Sequence, residues 1–178
     1  MNIFDILQQS KKIKCFDSII DGDITEVFRS AKENDEKSIM ISMGMDGALE
    51  YLSEMIKQSV PFCIGVGNVV NLDQCKNAIE HGAKFVITAG FDADIINYCR
   101  EHNVDIIPGC STATDIIRCE QMEIFIVYYY SAEYGNESDA LEALSHAFNN
   151  VSFLISGNLA KEKLQKYLEQ PYVAGYIL

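Results

Sequence analysis

Positive charge is scarce in this chain: 14 Lys and Arg stand against 26 Asp and Glu in 178 residues, a formal net charge of −12. A surface of that sign repels phosphate backbones and anionic headgroups, which argues against nucleic acid and membrane as partners. Long apolar runs are also missing. The segment MNIFDILQQSKKIK carries apolar residues at helical spacing but no stretch long enough for a signal peptide or a membrane span, so a cytoplasmic protein is expected. Metal-binding patterns are equally thin. Cys15, Cys63, Cys75, Cys99, Cys110 and Cys119 fall into no CxxC or Cys/His spacing, and several sit in apolar runs as reduced, buried thiols do. His81, His102 and His146 fall in or at the ends of predicted helices, and Asp46, Asp92 and Glu133 make no recognisable ligand set. No metal and no cofactor are expected.

What is present is a repeated alternation of a short apolar, β-branched run, a turn rich in Gly, Asn, Ser or Asp, and an amphipathic stretch. It predicts strands at 13–16, 38–42, 62–66, 85–88, 105–107, 124–130, 152–155 and 172–174, with helices at 24–34, 47–58, 72–81, 93–102, 112–120, 138–148 and 160–168 and an extra one at 3–9. Asp23 and Asn71 are candidate helix caps. Strands alternating with helices of this length pair in parallel through right-handed crossovers, and eight such units favour an α/β fold of the (β/α)₈ TIM-barrel type. An open doubly wound sheet is the alternative. Length and a 48% hydrophobic composition fit one domain over residues 1–178.

Such barrels usually run from about 200 residues upward, and Leu178 follows directly on the eighth predicted strand. A short barrel without its eighth outer helix is therefore expected. The 3–9 helix or a neighbouring subunit must then cover the apolar sheet there, which points to a homo-oligomer.

In a parallel barrel the functional residues lie at the carboxyl ends of the strands. Here those ends read Gly65-Val66-Gly67-Asn68, Ile87-Thr88-Ala89-Gly90, Pro108-Gly109-Cys110-Ser111-Thr112, Tyr128-Tyr129-Tyr130-Ser131-Ala132-Glu133 and Ser156-Gly157-Asn158. Glycines admit a close ligand, Ser and Thr cap helices, and helix N-termini attract anions. Any one of these turns is more simply a tight βα connection; five in register point to a site.

In order and spacing these ends resemble the 2-keto-3-deoxy-6-phosphogluconate (KDPG)/4-hydroxy-2-oxoglutarate (KHG) aldolase family. That family's Gly-Ala-Gly-Thr-Val-Leu-Asn, Ile-Ser-Pro-Gly, Ile-Pro-Gly-x-Ser-Thr, Lys-Phe-Phe-Pro-Ala-Glu and Pro-Thr-Gly-Gly-Ile are answered by GVGNVVN (65–71), ITAG (87–90), IPGCST (107–112), YYYSAE (128–133) and ISGNL (155–159). The resemblance implies a barrel, a trimer, and a class I aldolase whose strand-six lysine forms an imine with the keto group of pyruvate.

The departures from the pattern are informative. Tyr128 stands at the lysine's place, and a phenol has no primary amine with which to form an imine. Met40 stands at the place of the family's general acid/base glutamate, and Gly44 at that of an arginine expected to hold the substrate carboxylate. Ala89 and Asn68 replace a proline and a threonine. Lys14 lies early in strand one, Lys37 and Lys84 at strand starts, and most other lysines on helices, so none is expected at the mouth; Lys161, opening the helix after strand seven, is nearest and reads as a surface charge. For phosphate, Ser156-Gly157-Asn158 and Ala174-Gly175-Tyr176 offer backbone N–H groups, while Glu133 and Glu137 oppose an anion. Tyr128 and Tyr130 should face the barrel interior and Tyr129 the helices.

The expected ligand-binding set is thus Gly65, Gly67, Asn68, Gly90, Pro108, Gly109, Ser111, Thr112, Tyr128, Tyr130, Glu133, Ser156, Gly157, Asn158 and Gly175. The expected function is an aldolase-like barrel without imine chemistry that keeps a pocket for a small 2-oxo acid or a phosphate-containing ligand. The alternatives are an active lyase or other barrel enzyme using a non-lysine mechanism, and a purely structural component of an oligomer.

Overall fold

A computed structural model describes residues 2–17, 24–58, 60–129, 137–157 and 159–178. Nine strand segments are described: β1 Lys12–Phe16, β2 Ser38–Ser42, β3 Cys63–Val69, β4 Phe85–Thr88, β5 Asp105–Ile107, β6 Gly109–Cys110, β7 Ile126–Tyr129, β8 Ser152–Ser156 and β9 Val173–Ile177. They lie in the order β5-β4-β3-β2-β1-β9-β8-β7-β6, with every neighbouring pair parallel. The two ends of that order are one run of chain. Pro108, which has no N–H to give a ladder, divides β5 from β6; β5 pairs with β4, β6 pairs with β7, and the Pro108 carbonyl accepts from Tyr128 N at 2.8 Å. The sheet therefore closes into the expected barrel of eight strands, one of them interrupted.

Around it run α2 Ile24–Glu33, α3 Ala48–Lys57, α4 Leu72–Glu80, α5 Ala93–Glu101, α6 Ala113–Gln121, α7 Glu137–Ala147 and α8 Lys161–Leu168, preceded by α1 Ile3–Ser10. Their starts are legible chemistry. Asn71 accepts from Gln74 N, Asp92 from Asp94 N and Ile95 N, and Thr112 and Asp115 cap each other reciprocally, each satisfying N–H groups that the first turn leaves open. The proposed cap Asp23 lies outside the described residues.

Alternation along the strands divides the apolar residues into two cores. Outward-facing Ile39, Ile41, Ile64, Val66, Val127, Tyr129 and Phe153 meet the helices, while Ile13, Met40, Phe85, Ile87, Ile107, Tyr128, Leu154 and Ile177 fill the barrel. The expected opposite facing of Tyr128 and Tyr129 holds; Tyr130 lies outside the described residues.

Helix α1 corrects one expectation. It does not cover the outside of the sheet but closes the barrel at the amino ends of the strands, with Ile3, Ile6 and Leu7 essentially without exposure among the interior residues. Ile3 N donates to Asp105 Oδ2 at the start of β5 at 2.9 Å, and a Cβ at Gly175 would lie 2.7 Å from Leu7 Cδ2. No helix follows β9 among the described residues. The outer face left open there is also less apolar than expected, because Lys12 and Lys14 share it with Phe16. Lys12 Nζ donates to the Asn34 carbonyl and lies 3.6 Å from Glu36, and Lys14 Nζ sits 5.8 Å from the centre of the Phe16 ring. A groove of about 550 Å³ between β1 and α2 is walled by Phe16, Val27, Ala31 and Leu178.

The eighth strand, expected at 172–174, runs from Val173 to Ile177. Hydrogen bonds from Tyr176 N to the Lys11 carbonyl and from Leu178 N to the Ile13 carbonyl, each 2.8 Å, extend its pairing with β1, and Gly175 consequently lies within the strand rather than after it.

Candidate functional site

At the carboxyl ends of the strands a cavity of about 520 Å³ opens over the barrel interior. Its floor is Met40, Tyr128 and Ile177; its rim is Cys15 and Asp17 from the end of β1, Asn68 from β3, Ser156 and Gly157 from β8, and Tyr176 and Leu178 from β9. The narrowness of the interior explains the glycines beneath. A Cβ at Gly67 would fall 2.3 Å from Met40 Sδ, and one at Gly65 2.4 Å from the Phe85 carbonyl oxygen and 2.5 Å from its ring. Gly65 and Gly67 thus make room for Phe85 and for the methionine that floors the cavity.

The polar groups of the mouth are neutral hydrogen-bonding ones. Tyr128, 7% exposed, places its Oη 2.6 Å from Ser156 Oγ. Asn68 has a left-handed backbone, φ 55°, at the irregularity in the β3–β4 pairing, and its Nδ2 donates to Ser42 Oγ at 2.9 Å. Asparagine tolerates that conformation better than most residues. The Tyr176 hydroxyl donates to the Gly157 carbonyl, tying the end of β8 to β9. Burial pushes the Cys15 thiol up to about 11, with the Asp17 carboxylate adding to the rise and Lys14 opposing it. Cys15 is a thiol at neutral pH rather than a thiolate nucleophile.

Of the residues expected from the sequence, Asn68, Tyr128, Ser156 and Gly157 meet at this cavity together with Met40. The β4–β6 quarter stands apart from it. Gly90 is exposed, with Thr88 Oγ1 donating to its carbonyl at 2.7 Å. Pro108 and Gly109 are buried in the wall, where Gly109 N donates to Thr88 Oγ1 at 3.1 Å, while Ser111 and Thr112 are exposed at the start of α6. Gly44 is exposed after β2, its N donating to Ser42 Oγ at 3.4 Å, and Gly175 lies against α1. Tyr130, Glu133 and Asn158 lie outside the described residues.

Lys14, expected early in strand one and away from the mouth, is among the residues bordering both the cavity and the outer groove, with its ammonium on the outer face beside the Phe16 ring. Lys161 is exposed and does not line the cavity. Ser42, Cys15, Asp17 and Tyr176 were missed. The first three stand at or beside the ends of strands one and two, where the strand-end rule applied to every strand would have found them; Tyr176 required the longer eighth strand. Among the described residues no group of three or more His, Cys, Asp or Glu is placed to hold a metal, and no helix is long and apolar enough to cross a membrane.

A family model described as KDPG and KHG aldolase matches residues 5–176. A curated relative, the 2-dehydro-3-deoxy-phosphogluconate aldolase of Treponema pallidum, is 29% identical over 126 residues, a match that takes in 71% of this chain but 60% of that protein's length. Among solved structures, the 2-keto-3-deoxy-6-phosphogluconate aldolase of Zymomonas mobilis with 3-phosphoglycerate superposes with a TM-score of 0.86 at 21% identity, covering 99% of this chain and 84% of the other. The KDPG aldolase of Legionella pneumophila, with pyruvate captured as a covalent carbinolamine, gives 0.84 at 18% identity, covering 99% and 86%. At those identities the structures speak for the fold, and the family model speaks for descent: the chain belongs to the KDPG and KHG aldolase family.

Proposed function

We propose that this member of the family binds a small 2-oxo acid or phosphate-containing ligand in the mouth of the barrel and does not carry out imine-based aldol cleavage at its strand-six position. The observation that carries the reading is Tyr128, whose hydroxyl lies in the cavity against Ser156 Oγ. A phenol can orient a carbonyl or carboxylate by hydrogen bonding but cannot condense with a ketone, and the thioether of Met40 beside it cannot move protons. Asn68, Ser156 and the Gly157 backbone give a 2-oxo acid donors without an acid/base pair. The related structures named above hold pyruvate and 3-phosphoglycerate, which sets the ligand classes to test.

Borohydride reduction in the presence of pyruvate, read by intact mass, is the test. No adduct is expected, together with a thermal shift by pyruvate, glyoxylate, phosphate or a sugar phosphate. A reduced pyruvyl adduct would overturn the proposal. A second reading is an active lyase, for which Lys14, on the strand that borders the cavity, would have to turn its amine in from the outer face. An adduct mapped to Lys14 and lost in Lys14→Arg would establish it. Absence of any thermal shift would leave the structural role in an oligomer, which sedimentation tests directly.

A further inference from the structure

Two pairs of buried thiols touch in the layer between barrel and helices. Cys75 Sγ of α4 lies 3.5 Å from Cys99 Sγ of α5, and Cys110 Sγ of β6 lies 3.4 Å from Cys119 Sγ of α6. All four are free cysteines. A disulfide needs a sulfur separation of about 2.05 Å, so each pair must close by roughly 1.5 Å. What distinguishes them is what has to move.

Cys75 and Cys99 sit on two neighbouring helices, which can slide against each other without disturbing a hydrogen-bonded ladder. The seam around them is held in contact by Lys76, whose Nζ lies 5.7 Å from the centre of the Tyr98 ring. Cys110 is fixed in the barrel wall, in register with Tyr129 of β7 next to the pairing of Gly109 with Tyr128 that closes the sheet. Cys110 cannot move without straining the closure of the barrel, so α6 alone would have to carry Cys119 inward, whereas Cys75 and Cys99 share the movement between two helices.

We propose that Cys75 and Cys99 form a reversible redox bond, closed by a small peroxide, that staples α4 to α5, and that Cys110 and Cys119 stay reduced under the same conditions. The hydrogen bond from the Cys99 thiol holds the Cys75 thiol below its ordinary value against the opposing effect of burial, which makes Cys75 the attacking sulfur. With hydrogen peroxide as oxidant, the Cys75 thiolate attacks one peroxide oxygen. The O–O bond breaks, and the departing hydroxide takes up the proton that Cys75 released, leaving a sulfenic acid. The Cys99 sulfur then displaces that hydroxyl, the S–S bond forming as the S–O bond breaks, and the Cys99 proton leaves with it as water. The sum is two thiols and one peroxide giving one disulfide and two waters. Both sulfurs are inaccessible in the closed fold, so the oxidant enters through local opening of the helix layer, and the reaction is slow compared with that of an exposed thiol.

The test is peroxide treatment of the folded chain, alkylation of remaining thiols, and peptide mapping without reductant. A Cys75–Cys99 linked peptide is expected, removed by dithiothreitol and absent from Cys99→Ser and from Cys75→Ala. The oxidised chain should melt higher than the reduced one, and this increment should vanish in whichever of the two variants retains the wild-type circular dichroism. Free thiols at both positions, a Cys110–Cys119 linkage with Cys75 and Cys99 still free, or a sulfinic acid at Cys75 beside a free Cys99 would each overturn the proposal.

Discussion

The two ends of the barrel are built from the same strands and differ in what fills them. At the amino ends α1 inserts Ile3, Ile6 and Leu7 among Ile13, Phe85 and Leu154, a closed apolar seal with the Asp105 carboxylate holding the helix start. At the carboxyl ends the filling stops at Met40 and Tyr128, and hydroxyl and amide groups of Asn68, Ser156 and Tyr176 stand around an open cavity, with buried Ser42 holding Asn68. One end is a contribution to stability; the other pairs its polar groups with one another around a space that solvent or a ligand can enter. Mutations at the two ends should therefore separate stability from binding.

The largest expected effect is at the sealed end. Leu7→Ala should cost about 2–5 kcal/mol, read from the urea midpoint, since a fully buried side chain is removed from a site that cannot collapse around the gap. Any thermal shift by ligand should persist in it. A loss of the shift in a still-folded Leu7→Ala chain would break the separation of the two ends. Next comes the floor of the mouth. Gly67→Ala sets a methyl against Met40 and should cost about 1–3 kcal/mol, with partial recovery in the double variant carrying Met40→Ala.

Ser156→Ala should be milder, about 0.5–1.5 kcal/mol for a partly buried hydrogen bond to Tyr128, while reducing the ligand-induced shift. The reverse ranking, a large loss of stability with binding intact, would make Tyr128–Ser156 a structural pair. The smallest effect concerns pH. Burial raises both Cys15 at the mouth and Cys63 in the interior core from 9.0 to about 11. In that window the unfolded chain has lost protons that the folded chain keeps, so stability should fall as pH rises from about 9 toward 11, and less so in Cys15→Ala. A flat profile there would mean that neither thiol is held in a desolvated place.

Particular residues show how far the sequence carried. The alternating runs and the caps Asn71, Asp92 and Thr112 follow from local chemistry, and β2 and β4 fall where the pattern places them. The interruption at Pro108 belongs to the same logic, because a residue without an N–H cannot continue a ladder. That Asn68, Tyr128, Ser156 and Gly157 meet at the mouth was legible because they lie at or near strand ends. Asp17 and Ser42 obey the same rule at strands one and two, and Tyr176 depended on how far the last strand pairs with β1.

The sequence by itself determined the parallel barrel and its family, since period-two and helical spacing, turn residues and residue identity are properties of the chain. Tertiary structure alone decided that α1 seals the bottom instead of covering the outside, that Gly175 belongs to a strand, and that Cys75 meets Cys99. These depend on which surfaces face each other once the sheet closes. That distance is set by three-dimensional packing between residues far apart in the chain, and no local pattern encodes it.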